Sequence, residues 1–169
     1  MNGNSPNKVL LARLLELKDI KRAGWEQVSV ENPESVAAHS WGVATLVMIL
    51  CPDSLDRGRA VEIALAHDLT EIITGDITPQ DGIPKTKKKA LEQAAAIELF
   101  EGLPEHIKER WDEYDQGETE ESKFVHAVDK LDMALQAERY RETQGTEIDS
   151  FIESALARLP EGTLRALVG

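Results

Sequence analysis

Apolar side chains recur every three to four residues along almost the whole chain, which is the spacing of an amphipathic α-helix. No segment shows the alternation of apolar and polar positions that is typical of a strand. Glycine, proline and aspartate interrupt the helical pattern, most clearly in the connection at 23–33 and in the loop at 76–85. The pattern predicts an all-α bundle, with helices over residues 7–22, 34–52, 55–74, 86–101, 105–114, 119–143, 149–159 and 161–167.

The pattern gives specific expectations for two of these helices. On the first helix, Val9, Leu10, Leu14 and Leu17 share a spacing that predicts an inward apolar face. The helix at 55–74 is expected to stop at Gly75, because glycine readily takes the left-handed conformation in which many helices end.

Composition narrows the class of protein. The 169 residues suffice for one domain, expected to span 1–169 with its core at about 10–140 and the C-terminal helices packed on it. The 19 Lys and Arg against 31 Asp and Glu give a net charge of −12, which repels phosphate backbones and predicts no nucleic-acid polymer and no membrane as partner. The only cysteine, Cys51, excludes an intrachain disulfide. Because no signal peptide opens the sequence, we expect a cytoplasmic protein.

Residues 64–79, "ALAHDLTEIITGDITP", place charged groups inside an apolar run. His67 and Asp68 are adjacent, Glu71 follows three residues after Asp68, and Asp76 comes just past a glycine. An ionised carboxylate is costly to bury unless its charge is compensated. A divalent cation would compensate it, since imidazole and carboxylate suit Mn, Fe, Co, Ni or Zn.

The histidine–aspartate pair cannot fill a coordination shell, so further donors must come from other helices. His39 in "ESVAAHSWGV" and Asp129 in "HAVDKLDMAL" are the candidates. Taken alone, each has an ordinary interpretation: His39 as a satisfied core or surface histidine, and Asp129 as a carboxylate paired with Lys130.

The order of these residues, His39, then His67–Asp68, then Asp129, resembles the HD-domain metal-dependent phosphohydrolases. The segments "GW" at 24–25, "PESVAAHS" at 33–40 and "HAVDKLDMALQA" at 126–137 make the chain similar to the 5′-deoxynucleotidase branch of that family. The resemblance implies an HD-domain helical bundle that hydrolyses (deoxy)nucleoside 5′-monophosphates. It also implies a homodimer and a divalent cation, with Mn, Co, Fe, Ni, Zn and Mg as candidates.

The resemblance assigns roles residue by residue. It makes His39, His67, Asp68 and Asp129 the ligands of the principal metal. Glu71 and Asp76 match the acidic residues that handle the attacking water. In some relatives those two acids, together with the backbone at the position of Ile77, hold a second cation.

Substrate contacts are also implied. Trp25 matches a tryptophan at the substrate pocket, with core packing as its alternative. Bacterial relatives carry a phosphate-binding arginine directly before that tryptophan. This chain has Gly24 there, which leaves Arg22, two residues earlier, as the candidate. Lys85, at the end of the loop that follows Asp76, is a second candidate for the phosphate.

Three functions remain open from the sequence. A 5′-nucleotidase is favoured over another HD phosphohydrolase, such as a phosphodiesterase or a nucleotide triphosphohydrolase. A helical scaffold that binds metal or nucleotide without catalysis is the third alternative, although every expected ligand is present.

Overall fold

A computed structural model describes residues 7–145 and 148–168, and helices dominate both ranges. The all-α prediction is confirmed: within these ranges the only β pairing is an isolated bridge between Lys21 and Ser35. The α-helices are α1 (Lys8–Leu14), α2 (Ala23–Gln27), α3 (Val36–Leu50), α4 (Arg57–Ala66), α5 (Glu71–Thr74), α6 (Lys85–Phe100), α7 (Glu105–Gln116), α8 (Glu120–Gln144) and α9 (Asp149–Leu156). In the part of the chain that the structure describes, no helix is long and apolar enough to cross a membrane.

The central packing joins α3, α4 and α8. Val47 of α3, Ile63 of α4 and Val128 of α8 are each fully buried and belong to one apolar cluster. Burying such side chains stabilises the fold by roughly 1.5–3 kcal/mol each. Because α3 carries His39 and α8 carries Asp129, this packing also brings two predicted metal ligands to one place.

Both helices begin and end at recognisable signals. The Ser35 side chain accepts a hydrogen bond from the backbone of Ala38 and caps α3. Thr119 caps α8 in the same way through Ser122, and α8 ends at Gly145 in the left-handed conformation. These caps satisfy backbone groups that a helix end leaves unpaired, which explains why the predicted limits lie close to the observed ones.

The predicted helix at 55–74 is wrong in its middle. The α-helix ends at Ala66, residues 67–70 form a turn, and α5 follows as a single helical turn. The His67 Nδ1 atom lies 2.7 Å from the backbone oxygen of Ala64, the oxygen that would otherwise continue the helical ladder. A side chain that competes for a backbone acceptor weakens the helix locally. The predicted stop at Gly75 is correct, and Gly75 has a positive φ of 71°.

Smaller differences lie at the ends of the chain. The first helix gives way to a 3₁₀ turn at Leu15–Lys18, and Val9 is 78% exposed instead of facing inward. The connection at 23–33 contains the short helix α2. Of the helix predicted at 161–167, the described residues form only a 3₁₀ turn at Arg165–Leu167.

Candidate metal centre

Three predicted ligands from three different segments meet in the interior. One donor atom each from His39, His67 and Asp129 lies within 4.8 Å of the others, and all three residues are buried. The His39 Nε2 atom is 3.2 Å from an Asp129 oxygen. An oxygen of Asp68 lies 3.0 Å from His67 Nε2 and 3.7 Å from His39 Nε2. The structure therefore brings all four predicted ligands together.

Both imidazoles point the same nitrogen at this centre. His67 directs Nδ1 at the backbone oxygen of Ala64, and His39 directs Nδ1 at Asp132 Oδ2, 2.7 Å away. A proton on Nδ1 leaves Nε2 with a free lone pair. The two Nε2 atoms are buried, and neither has a hydrogen-bond partner of good geometry among the described residues. Buried polar atoms are rarely left this way, so the donors fit a divalent cation.

Asp132 is the residue that sequence reasoning missed. It lies one helical turn after Asp129 on α8, and that spacing indicates only that the two carboxylates share one side of the helix. A Cβ added at Gly42 would lie 2.3 Å from Asp132 Oδ1. Gly42 on α3 therefore leaves the space that the carboxylate needs beside His39.

Charge is distributed unevenly around the donors. Burial favours the protonated form of Asp129, but the His39 contact and the charge of Lys130 lower the pKa of Asp129 well below its usual range. Burial and Arg22 act against a charged His39, yet its contacts with Asp129 and Asp132 raise the pKa of His39 to about 9. Without a cation His39 is therefore protonated at neutral pH, and a cation must displace that proton.

The two predicted catalytic acids lie at the edge of the donor cluster. Glu71 is buried, and its Oε2 atom has no hydrogen-bond partner within the described ranges. Burial and the charges of Asp68 and Asp76 raise the pKa of Glu71 well above its ordinary value. Asp76 accepts a hydrogen bond of 2.8 Å from the backbone of Ala23. This bond ties the loop after Gly75 to the start of α2.

The guanidinium of Arg22 lies near two of these carboxylates. Its Nη1 atom lies 3.5 Å from Asp76 Oδ1 and 3.9 Å from Asp68 Oδ2. Burial on its own lowers the pKa of the Arg22 guanidinium. The charges of Asp76 and Asp68 raise this pKa by more, so the net shift is upward and the guanidinium stays charged. The structure thus places the predicted replacement for the arginine of bacterial relatives beside the donors.

The second predicted cation is not brought there. Lys85 begins α6, is exposed, and does not line the cavity beside the donors. Lys88, one turn later, lines that cavity and donates a 2.8 Å hydrogen bond to the backbone oxygen of Ile77. Glu92 flanks the Lys88 ammonium at 3.6 Å. The structure therefore places Lys88, and not Lys85, in the cavity wall.

Trp25 lies mostly in the core. It is 2% exposed, and its indole N–H donates to Glu34 Oε1 at 3.0 Å. Tyr140 packs edge-on against one part of the ring, and Phe151 covers another at 4.5 Å between centroids. Trp25 reaches the cavity only at its margin.

The cavity beside the donors has a volume of about 510 Å³. Its wall combines Arg22, Asp68, Glu71 and Lys88 with uncharged and aromatic side chains that include Phe151 of α9. This volume falls within the range of small-molecule sites, which are few per protein and combine apolar walls with a small number of polar groups.

Sequence comparison relates the chain to one protein family and to named relatives in it. The sequence profile of the HD domain matches residues 14–165. The chain is 34% identical to the 5′-deoxynucleotidase HDDC2 of Mus musculus, over 99% of this chain and 87% of the mouse protein. It is 35% identical to the 5′-deoxynucleotidase hdd1 of Schizosaccharomyces pombe, over 80% of this chain and 73% of that protein.

Solved structures resemble it as well. A conserved hypothetical protein from Pyrococcus furiosus has a TM-score of 0.74 and 31% identity, covering 90% of this chain and 93% of its own. A predicted metal-dependent phosphohydrolase from Magnetospirillum magnetotacticum MS-1 has a TM-score of 0.73 and 27% identity, covering 94% and 87%.

Proposed function

The chain belongs to the HD-domain family, and on that premise we propose that it is a metal-dependent 5′-nucleotidase. It hydrolyses (deoxy)nucleoside 5′-monophosphates to a nucleoside and phosphate. The observation that carries this proposal is the convergence of the buried Nε2 atoms of His39 and His67 on the carboxylates of Asp129 and Asp68, beside the cavity. The names of the mouse and fission-yeast relatives support the choice of substrate.

His39, His67, Asp68 and Asp129 would hold the cation. A divalent cation there supplies Lewis-acid polarisation of a phosphoryl oxygen and lowers the pKa of a bound water. The chain itself fixes the ligands: Asp132 and the backbone oxygen of Ala64 hold the two imidazoles with Nε2 facing inward.

Glu71 is the group that accepts a proton from the attacking water. It is buried beside the donors, and its Oε2 atom has no hydrogen-bond partner among the residues that the structure describes. Burial and the neighbouring carboxylates raise the pKa of Glu71, and positive charge brought next to it lowers that pKa again. A base with a pKa near the working pH is effective in this role. Asp76, held by the Ala23 backbone, keeps the loop and Arg22 in position around it. A second cation at Glu71, Asp76 and the Ile77 backbone is not part of this proposal, because Lys88 already donates to the Ile77 oxygen.

The phosphate end of the substrate is placed between Arg22 and Lys88. Both side chains line the cavity: Arg22 contacts Asp76 and Asp68, and Lys88 donates to the backbone oxygen of Ile77. Two cations match the charge of one phosphate monoester. The net charge of −12 opposes longer phosphate chains at the same site.

The proposal is tested by kcat/KM across nucleotide classes at fixed metal and ionic strength. Deoxynucleoside 5′-monophosphates should be hydrolysed best, and triphosphates, 3′-monophosphates and cyclic dinucleotides poorly. Faster turnover of triphosphates or cyclic dinucleotides would assign the chain to another branch of the family. Tight metal binding without turnover of any phosphate ester would leave only a binding role.

Glu71→Gln is the matched variant for that assay. It keeps the size of the side chain and removes the proton acceptor, so turnover should fall by about a hundredfold or more. Metal content and helicity should stay at the level of the unaltered protein. Near-normal turnover in a folded, metal-loaded variant would refute the role of Glu71.

A homodimer and a cytoplasmic location complete the proposal. Trp41, Met48 and Ile49 on α3 are each more than half exposed and offer an apolar surface that a second copy would cover. The unpaired Cys51 suits a reducing compartment. Light scattering of the protein and of Trp41→Glu tests the dimer, since the charged variant should be a monomer.

A further inference from the structure

The helix α9 has two distinct faces. Ile152 and Ala155 point into the core and join the apolar cluster that contains Trp25. Ser150, Phe151 and Ser154 belong to the cavity wall. Because Ser150 and Ser154 are four residues apart, they share one side of the helix. This helix therefore does more than pack on the bundle: its second face closes the cavity beside the candidate metal centre.

Phe151 is fitted closely into that wall. Its ring lies 4.5 Å from the indole of Trp25, tilted by 33°. A Cβ added at Gly24 would lie 3.3 Å from the Phe151 ring, so a larger residue at position 24 would force the ring to move. The glycine that stands where bacterial relatives carry arginine thus makes room for an aromatic side chain from α9.

Among the aromatic side chains of the cavity wall, which include Trp111 and Tyr114, Phe151 is partly exposed whereas Trp25 is buried. Trp25 is 2% exposed and lies between Tyr140 and Phe151. Phe151 is partly exposed and is itself part of the wall. Trp25 therefore acts as the support on which the Phe151 ring rests.

Charged and aromatic groups both lie next to α2. Arg22 precedes this helix and contacts Asp76 and Asp68, whereas Phe151 packs against Gly24 and Trp25 inside the helix. A nucleoside monophosphate likewise combines a phosphate with an aromatic ring. We propose that Phe151 of α9, supported by Trp25, forms the subsite for the nucleobase of the substrate. The inference rests on the proposed function for the identity of the ligand.

Comparing a substrate that has a base with one that lacks it distinguishes a role of Phe151 in base binding from a general role in catalysis or folding. Phe151→Ala should lower kcat/KM for a deoxynucleoside 5′-monophosphate by about tenfold or more, mainly through KM, because stacking of a base on an aromatic ring contributes about that factor. Hydrolysis of deoxyribose 5-phosphate, which has no base, should change by less than about twofold. The control is Leu156→Ala, which trims an apolar side chain of α9 that packs on the core and is not part of the cavity wall. Equal losses for both substrates in Phe151→Ala would overturn the proposal.

Binding of a deoxynucleoside without phosphate gives a readout that needs no turnover. Calorimetric titration should show weaker binding to Phe151→Ala than to the unaltered protein or to Leu156→Ala. If the alanine variant does not fold, Phe151→Leu keeps most of the volume, removes the aromatic face and decides the same question. Phe151-dependent binding without any phosphatase activity would refute the proposed function and keep the base subsite. Phosphatase activity together with deoxynucleoside binding that does not depend on Phe151 would refute the base subsite and keep the proposed function.

Discussion

Removing the carboxylate of Asp132 is predicted to weaken metal binding although Asp132 is not one of the four predicted ligands. Its Oδ2 atom lies 2.7 Å from His39 Nδ1, and this contact fixes which nitrogen of His39 faces the centre. In Asp132→Ala the imidazole loses that acceptor and can rotate or carry its proton on Nε2. Either change opposes a cation, because the ligand must present a free lone pair at a fixed position.

The magnitude follows from the environment of the contact. The His39 side chain is 1% exposed and that of Asp132 13% exposed, so water screens the pair weakly. A hydrogen bond to a charged group is worth about 1.5–3 kcal/mol. Loss of such a partner behind a ligand typically lowers metal affinity by about 10–100-fold, which corresponds to about 1.4–2.7 kcal/mol. The two estimates agree, and Asp132→Asn, which keeps an acceptor oxygen, should lose less.

Metal affinity is measured by calorimetric titration of metal-free protein with one divalent cation. Glu142→Ala is the control, because it removes an exposed negative charge from the same helix. Helicity should be retained in every variant, which separates weaker binding from unfolding. Unchanged affinity in Asp132→Ala would refute the reasoning and leave the Asp132–His39 contact as a structural one.

Three further predictions test other parts of the site. Gly42→Ala should lower stability and metal affinity although alanine favours a helix by about 1 kcal/mol, because the new Cβ meets Asp132 at 2.3 Å; a rise in Tm would contradict this. Lys88→Ala should raise KM for nucleotides by about tenfold, whereas Lys85→Ala should change it by less than about twofold; equal effects in steady-state assays would refute the phosphate contact. Metal binding should release the His39 proton, since the pKa of His39 is raised to about 9 without a cation, so affinity rises with pH up to about 9. Calorimetry in buffers of different ionisation enthalpy measures that proton, and a heat independent of the buffer would contradict it.

The sequence was sufficient for the long helices because their signals are local. In α3 and α8 the apolar spacing agrees with the caps at Ser35 and Thr119, and both helices form near their predicted limits. The break after Ala66 was not predictable from the apolar spacing, which continues through 67–74. It accompanies one hydrogen bond from the side chain of His67, which is also a predicted metal ligand.

The residues of the candidate site also differ in how far the sequence predicts them. The four donors were predicted from the resemblance to HD-domain phosphohydrolases, which rests on the order of a histidine, a histidine–aspartate pair and an aspartate along the chain. Asp132 was missed because its role depends on α3 and α8 lying side by side, which the spacing on one helix does not reveal. Lys88 and Phe151 were missed for a similar reason: which side chain lines a cavity depends on how α6 and α9 are rotated against the bundle.

The most direct test of the central claim joins metal content and activity in one experiment. Metal-free protein is titrated with a divalent cation, and phosphate release from a deoxynucleoside 5′-monophosphate is measured at each point, in parallel with Asp129→Asn. The account predicts no activity without metal, a rise in proportion to bound cation, and loss of both binding and activity in the variant. Phosphate release by protein that is shown to contain no metal, or full activity in Asp129→Asn, would contradict it.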